Sequence, residues 1–176
     1  MQNRGGAGAP AERLAVSDGP VGEGRWRAFG ELALISLLAA LVDQQAKVAI
    51  LSSLSFGQSV PVLPPLLRFT LHRNTGIAFG LLSGANAWVG LLSMLAALFL
   101  VFYHRGRWAR DRWVRVGLGL VIGGALGNLL DRARFGYVVD FIELPYWPIF
   151  NLADACIVVG GGLLALRAAQ SPGEAA

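Results

Sequence analysis

Residues 116–130 read VGLGLVIGGALGNLL, an uncharged apolar run in which Gly119, Gly123 and Gly127 are spaced four apart. A membrane-spanning helix needs about 20 predominantly apolar residues, so the run can span if it extends back to Trp113. Small residues at this spacing lie on one helix face and allow a second helix to approach closely. Glycine is also common in membrane helices in general, but the regular spacing favours close packing against a neighbour.

The composition of the whole chain supports a membrane protein. Of its 176 residues, 55% are hydrophobic and 15% are charged, whereas soluble domains carry about 25% charged residues. The mean hydropathy is +0.54, and the net charge of +4 gives a pI near 10.0. The basic residues are not gathered on an amphipathic soluble face, so we expect no nucleic-acid partner. The single cysteine, Cys156, excludes an internal disulfide and a cysteine-rich metal site.

Four apolar segments predict four transmembrane helices, which we place at residues 28–51, 85–103, 113–131 and 149–167. The first segment is long enough only if the helix tolerates Asp43 and Lys47. The predicted fold class is therefore an all-α membrane protein, with a four-helix integral membrane domain over residues 25–170. Residues 1–24 are rich in Gly, Ala and Pro and predict a disordered cytoplasmic tail, and residues 171–176 form a short C-terminal tail.

The positions of the basic residues predict the orientation of the helices. Ten of the fifteen Lys and Arg residues lie in the N-terminal tail, in the 104–115 connection or near the C-terminus, and these are Arg4, Arg13, Arg25, Arg27, Arg105, Arg107, Arg110, Arg112, Arg115 and Arg167. Such residues concentrate on the cytoplasmic side, so both termini are predicted to be cytoplasmic, with residues 52–84 and 131–148 outside. Because LLRFTLHRN at 66–74 alternates weakly, we expect a small β-containing extracytoplasmic segment between helices 1 and 2.

With this topology, polar residues from four separate segments converge at the outer level of the membrane. They are Asp43, Lys47, Asn74, Asn128, Asp131, Arg132, Asp140, Asn151 and Asp154. Ionisable residues inside spans usually face the interior of the helix bundle and indicate function. This level is therefore the predicted site.

Each of these residues also has a structural interpretation. Asp43 and Lys47 have the i, i+4 spacing of a helix ion pair, which we favour over Lys47 as the base of a Ser/Lys protease. Asn151 and Asp154 have the spacing of a helix cap and a first-turn acid, and spacing alone does not separate this from catalysis. Arg132 suits either a helix-end base or recognition of a phosphate or carbonyl oxygen.

Metal chemistry is not favoured by the sequence. The two histidines, His72 and His104, are predicted to lie on opposite sides of the membrane, and the zinc motif HExxH is missing from the sequence. There is also no phosphate-binding loop and no nucleophile elbow. We therefore expect no metal and no cofactor, and carboxylates are the best candidates for chemistry.

Five motifs together resemble the lipoprotein signal peptidases (signal peptidase II), a family of bacterial membrane aspartyl proteases. They occur in the family's order over residues of about 30 to 168, and they are DQQAK (43–47), RNTGIAFG (73–80), GGALGNLLDR (123–132), VVDFI (138–142) and FNLADACI (150–157). The stretch between the two aspartates is compact for the family.

The resemblance implies an aspartic endopeptidase that removes signal peptides from prolipoproteins by cleaving just before a diacylglyceryl-modified cysteine. It implies that Asp140 and Asp154 are the catalytic pair. The residues implied to support the site or contact substrate are Asp43, Lys47, Asn74, Gly76, Asn128, Asp131, Arg132 and Asn151. Glu143 matches no motif position and is interpreted as a loop acid.

The resemblance also implies lipidated prolipoproteins and membrane lipids as partners, and a multi-pass location in the bacterial cytoplasmic (inner) membrane with the site near its outer face. We expect a monomer. The glycines of the third helix and the apolar segment 138–150 could offer a surface to acyl chains and to the signal helix.

Two other classes of protein compete with this reading. A small proton-coupled transporter or channel could use intramembrane acids as a relay, although a relay would place acids at successive depths. In a non-catalytic membrane scaffold, the aspartates would only cap helices.

Overall fold

The structure of the protein is a computed structural model that describes residues 21–75 and 86–170. Its helices and strands in chain order are α1 (Val21–Ser53), β1 (Ser59–Leu63), β2 (Leu67–Asn74), α2 (Asn86–Tyr103), α3 (Arg112–Phe135), β3 (Val138–Glu143) and α4 (Leu152–Gln170). The predicted C-terminal tail, residues 1–20 of the predicted N-terminal tail, and Gly76 lie outside the described residues.

Helix α3 is the central element, and its glycines bring α1 close. A Cβ atom added at Gly123 would lie 2.5 Å from the Ser36 carbonyl oxygen and 2.6 Å from the Ala39 Cβ. One added at Gly119 would lie 2.6 Å from Ile35 Cγ2. These distances leave no room for a side chain, so the predicted close packing is confirmed.

The same glycines are therefore covered by α1, and the idea that they offer a surface to acyl chains is wrong. A second set of glycines on α3 faces α4. A Cβ at Gly117 would lie 3.0 Å from the Gly160 carbonyl oxygen, and one at Gly124 would meet the Ala153 carbonyl oxygen. Glycines on two faces thus allow α1 and α4 to pack on α3 at backbone distance.

Apolar side chains fill the interior on the side of the bundle away from the sheet. Val114 and Leu118 of α3 are completely buried there, together with Ala97 of α2 and Leu164 of α4. The outward faces of the helices are also apolar. Leu38 of α1, Phe99 of α2 and Val158 of α4 are at least half exposed, for example. A bundle that is apolar both inside and outside is typical of a membrane protein.

Three helices are long and apolar enough to cross a membrane within the described part of the chain, at Gly24–Ser53, Arg112–Phe135 and Leu152–Gln170. A shorter apolar helical segment covers Gly90–Tyr103. The mostly helical, membrane-type architecture predicted from the sequence is therefore confirmed in its general form.

The helix boundaries differ from the predicted spans. Helices α1 and α3 continue beyond their apolar parts, whereas α4 begins later than predicted. Helix α1 has 33 residues, or about 50 Å at 1.5 Å per residue, and it begins at Val21, inside the stretch predicted as a tail. Helix α3 runs on to Phe135 and ends at Gly136, whose φ of 75° is the left-handed cap conformation. Helix α4 begins later than predicted, at Leu152, because residues 148–151 lead into it as an extended segment.

The three strands form one antiparallel sheet in the order β1-β2-β3. The β-containing segment predicted between the first two helices is confirmed as β1 and β2, which pair with Val60 opposite Phe69. Strand β3 was not predicted, because VVDFI shows no alternation of apolar and polar residues. Its residues 138–141 are all buried, and a strand covered on both faces loses that alternation.

We expect Gly123→Ala to destabilise the protein by about 1–3 kcal/mol, since the new methyl group must displace backbone atoms of α1. The matched control is Gly161→Ala on α4, where an added Cβ meets nothing within 4 Å. Thermal unfolding in detergent, followed by helical circular dichroism, measures both variants. Equal stability of the two variants would contradict the close packing of α1 on α3 at Gly123.

Candidate active site

A short bridge brings the two aspartates of the VVDFI and FNLAD motifs together. After β3 the chain turns back, so that the Phe141 and Ile142 amides donate to the Phe150 carbonyl oxygen at 3.0 and 2.8 Å. The Phe150 amide donates to the Ile142 carbonyl oxygen at 3.1 Å. The start of α4 is thereby held beside β3, which closes the sequence separation between Asp140 and Asp154.

Asp140 is buried, with 1% of its surface exposed. Its Oδ2 accepts a hydrogen bond from Asn74 Nδ2 at 2.8 Å, and its Oδ1 accepts one from Asn151 Nδ2 at 2.7 Å. Burial raises the pKa of Asp140 to about 6, and the charge of Asp154 adds to this effect while the two amide donors oppose it. This carboxyl group therefore changes protonation state near neutral pH.

Asp154 lies in the first turn of α4 and is partly exposed. Asn128 Nδ2 donates to its Oδ1 at 2.7 Å, and the Asn151 amide donates to its Oδ2 at 3.3 Å. The Asp154 amide in turn donates to Asn151 Oδ1 at 2.9 Å. This reciprocal pair is a helix cap, so Asp154 is a capping acid and also belongs to the polar cluster.

Two asparagines connect the carboxylates. The side-chain amide of Asn151 donates to Asp140 and, at 3.1 Å, to Asn128 Oδ1. The side-chain amide of Asn128 donates to Asp154. Asp140 and Asp154 are therefore oriented by one continuous hydrogen-bond network built from α3, β3 and α4.

The buried ammonium group of Lys47 supports this network. Lys47 Nζ lies 2.8 Å from Asp43 Oδ2 and 2.8 Å from Asp131 Oδ2, and it donates to Asn128 Oδ1 at 3.2 Å. An ammonium has three hydrogens to donate, and these three acceptors take them all. The predicted Asp43–Lys47 ion pair is confirmed, and the geometry does not favour Lys47 as a free base.

The two acids around Lys47 each hold a segment that carries one of the aspartates. Asp43 Oδ1 accepts the Ala153 amide of α4 at 2.9 Å, and Asp131 Oδ2 accepts the Val139 amide of β3 at 3.0 Å. Gly127 is part of the same arrangement, because a Cβ there would lie 2.6 Å from Asp43 Oδ2.

Gln44 is a member of the cluster that the sequence reasoning did not select. Its Nε2 donates to Asp131 Oδ1 at 2.8 Å and to the Gly127 carbonyl oxygen at 3.2 Å, and its Oε1 accepts from Arg134 Nη1 at 3.2 Å. The available signal was its place next to Asp43 in the DQQAK motif.

Arg132 lies at the edge of the cluster. Its Nη1 donates to the Asn128 carbonyl oxygen at 3.2 Å, and the charges of Asp154 and Asp140 both act on it. Its Nε is buried and has no hydrogen-bond partner within the described structure. The guanidinium therefore has donor capacity left over within electrostatic range of both carboxylates.

Glu143 is separated from the two aspartates, as expected, although it lies in β3 and not in a loop. Its Oε2 accepts a hydrogen bond from Thr70 Oγ1, and it is 3.8 Å from Arg68 Nε. Within the described ranges, no group of three or more His, Cys, Asp and Glu residues could hold a metal ion.

Helices long enough to cross a bilayer thus carry a site in which one asparagine network joins two carboxylates, an arrangement suited to acid–base hydrolysis. The model of the Signal peptidase (SPase) II family matches residues 35–170. The chain belongs to this family.

Individual relatives agree with this assignment. The chain is 37% identical to the lipoprotein signal peptidase of Halothermothrix orenii over 134 residues, covering 76% of this chain and 91% of that protein. It is 46% identical to that of Pelotomaculum thermopropionicum over 135 residues, covering 76% and 88%. These relatives do not favour the transporter or channel interpretation.

Two solved structures share the fold. A bacterial membrane enzyme determined by the in meso method at 2.3 Å resolution superposes with a TM-score of 0.70 at 32% identity, covering 82% of this chain and 90% of that one. A second, at 1.9 Å resolution, gives a TM-score of 0.69 at 33% identity and covers 78% and 92%.

We expect Lys47→Met to destabilise the protein by about 3–5 kcal/mol, because it leaves two buried carboxylates without their shared cation. The matched control is Arg68→Met, which removes a base from the half-exposed ion pair with Glu143 and is expected to change stability by about 0–1 kcal/mol. Denaturant unfolding in mild detergent compares the two. A small effect at Lys47 would contradict its role as the shared cation.

The raised pKa of Asp140 predicts a pH dependence of stability. The folded state binds a proton more tightly than the unfolded state, whose pKa is near 3.8, so this contribution is full below that value and is lost as pH rises through about 6. We expect the stability of the wild type relative to Asp140→Asn to fall by up to about 3 kcal/mol between pH 4 and pH 7. A difference that is independent of pH would contradict this.

Proposed function

We propose that this chain removes signal peptides from diacylglyceryl-modified prolipoproteins by hydrolysing the peptide bond just before the lipidated cysteine, with Asp140 and Asp154 as the catalytic pair. The observation that carries the proposal is the position of Asn151. It donates to Asp140 from its side chain and exchanges two hydrogen bonds with Asp154. One residue therefore orients both carboxylates.

The chemistry follows from two carboxyl groups that share a site. Both cannot ionise cheaply at once, so one keeps a proton while the other is a base. The base takes a proton from a water molecule that attacks the scissile carbonyl carbon, and the acid donates a hydrogen bond to the carbonyl oxygen. A proton then passes to the departing amine. The pKa of Asp140, raised to about 6, suits a pair that holds one proton.

The remaining members of the network act as positioning residues. Lys47 holds Asp43 and Asp131, and these accept the backbone amides of Ala153 and Val139. The backbone beside each catalytic aspartate is therefore tied to a buried ion cluster, as a preorganised site requires. We place Asn74, Asn128 and Asn151 in the same role through their hydrogen bonds to the carboxylates.

We place Arg132 in the proposed site as a contact for an oxygen atom of the substrate backbone. Its buried Nε has no protein partner among the described residues, and a guanidinium is suited to binding oxygen atoms. Gly76, in the RNTGIAFG motif, is assigned to the site on the resemblance alone.

For the membrane arrangement, we propose four transmembrane helices with both termini in the cytoplasm, and the site at the outer face of the bacterial inner membrane. The excess of arginine in the 104–115 connection and at Arg167 supports this orientation. The sheet and the carboxylates lie together at the opposite ends of α1, α3 and α4.

A site at this boundary fits a lipidated substrate. Diacylglycerol anchors the modified cysteine in the outer leaflet, and the bond before it reaches Asp140 and Asp154 without moving the lipid into water. Tyr146 and Trp147, in the turn between β3 and α4, are largely exposed, and aromatic residues of this kind favour the membrane interface. We propose a monomer.

We expect Asp140→Asn and Asp154→Asn each to abolish cleavage of a diacylglyceryl-modified prolipoprotein, because an amide can replace neither the base nor the acid. The loss should exceed about a thousandfold in kcat. Cleavage in detergent, followed by electrophoresis of the released mature lipoprotein, measures it, with helical circular dichroism as the test of folding.

The matched control is Glu143→Gln, which removes one carboxylate from the same strand, outside the network, and is expected to retain activity within about threefold. An unlipidated substrate forms the second arm of the assay and should not be cut. Turnover by either aspartate variant would contradict the assignment of the catalytic pair. Equal cleavage of the lipidated and unlipidated substrates would contradict the proposed specificity but not the catalytic pair.

A further inference from the structure

A cavity lined by arginines lies at the end of the bundle opposite to Asp140 and Asp154. It has a volume of about 330 Å³, is partly open to the surface, and lies where α2 ends, α3 begins and α4 ends. The residues that line it are Gly106, Arg107, Arg110, Asp111, Arg112, Val114 and Arg167. The peptidase chemistry uses none of these residues.

The cavity carries a large excess of positive charge. Four arginines line it beside a single acid, Asp111. That acid is already engaged, since its Oδ2 accepts from Arg167 Nη2 at 2.6 Å and its Oδ1 caps α3 by accepting the Trp113 amide at 2.9 Å. Among the described residues, no carboxylate forms an ion pair with Arg110 or Arg112.

Hydrogen bonds hold the connection between α2 and α3, which carries Arg107 and Arg110. Arg115 Nη1 donates to the Trp108 and Ala109 carbonyl oxygens at 3.1 Å each, and its Nε is paired with Glu31 of α1 at 2.9 Å. The Arg110 and Asp111 amides both donate to the Arg107 carbonyl oxygen at 2.9 Å. The connection between α2 and α3 is therefore tied to α1 and to itself.

The aromatic residues around the cavity indicate its depth in the membrane. Tyr103 ends α2, Trp113 lies in the first turn of α3, and Trp26 lies near the start of α1, and more than half of each side chain is exposed. Tyrosine and tryptophan concentrate at the level of the lipid headgroups. Because these residues lie at the same end of the bundle as the cavity, the proposed membrane orientation puts the cavity at the level of the headgroup phosphates.

We propose that this cavity binds the phosphate of an anionic phospholipid headgroup in the cytoplasmic leaflet, with Arg110 and Arg112 as its contacts. The inference rests on the proposed membrane orientation and not on the catalytic pair. Guanidinium groups bind phosphate oxygens with two parallel hydrogen bonds, and basic pockets between helices on the cytoplasmic side are suited to lipid headgroups.

The test uses the full chain in nanodiscs of phosphatidylcholine that contain a minor fraction of phosphatidylglycerol, with co-purifying lipid counted by native mass spectrometry. The wild type should enrich phosphatidylglycerol, and Arg110→Gln with Arg112→Gln should lower that enrichment by roughly 25-fold, at about fivefold per arginine. The matched control is Arg25→Gln with Arg105→Gln, which removes the same charge from the same end of the protein without touching the cavity.

Retention of the enrichment in the control variant, with its loss in the cavity variant, supports the proposal. An equal loss in both variants shows diffuse surface charge and overturns it, as does a wild type without preference for phosphatidylglycerol. A third arm adds inorganic phosphate to the solubilised protein, and displacement of the lipid at low millimolar phosphate would identify a free-anion site instead. Unchanged prolipoprotein cleavage by the cavity variant shows that it is folded and separates this result from that of the catalytic pair.

Discussion

The contact of one ammonium group with two buried carboxylates organises the functional half of this protein. Lys47 is 2% exposed and lies 2.8 Å from both Asp43 and Asp131. Removing such charges from water is expensive, and a buried ion cluster adds little net stability compared with apolar packing. Its effect here is geometric. Because each carboxylate also accepts a backbone amide, from Ala153 and Val139, the cluster fixes α4 and β3 relative to α1 and α3.

This arrangement is possible only because α3 has almost no side chain where the other helices approach it. A Cβ atom at Gly127 would meet the Asp43 carboxylate, and one at Gly123 would meet the backbone of α1. Bulkier residues would move α1 outward and carry Asp43 away from Ala153. The polar cluster therefore depends on the glycine spacing, because close packing of the helices brings the charged groups within hydrogen-bond distance. At the opposite end of the bundle, arginines and exposed aromatic residues lie near the ends of the helices.

Sequence patterns predicted much of the fold and the site. They failed for features that depend on contacts between segments distant in the chain. The apolar segments, the i, i+4 pair of Asp43 and Lys47 and the β-containing segment were readable, because each depends on local spacing. Strand β3 was not, because burial on both faces removes the alternation that identifies a strand. Gln44 was also missed, since a glutamine next to an acid has no distinctive local signal, and three of its partners are far away in the chain.

The sequence by itself determined the membrane-type helical architecture and the family, through apolar length and five ordered motifs that cover residues 43–157. It could not decide between a helix cap and a catalytic acid for Asp154, since both need the same residue at the same position. Only the tertiary structure brings Asp154 and Asp140 into hydrogen-bond contact with the same residue, Asn151. It does so because the bridge between Ile142 and Phe150 turns the chain back on itself. The charge state of Asp140 is likewise a tertiary property, since burial among three helices and a sheet, and not the residue itself, raises its pKa to about 6.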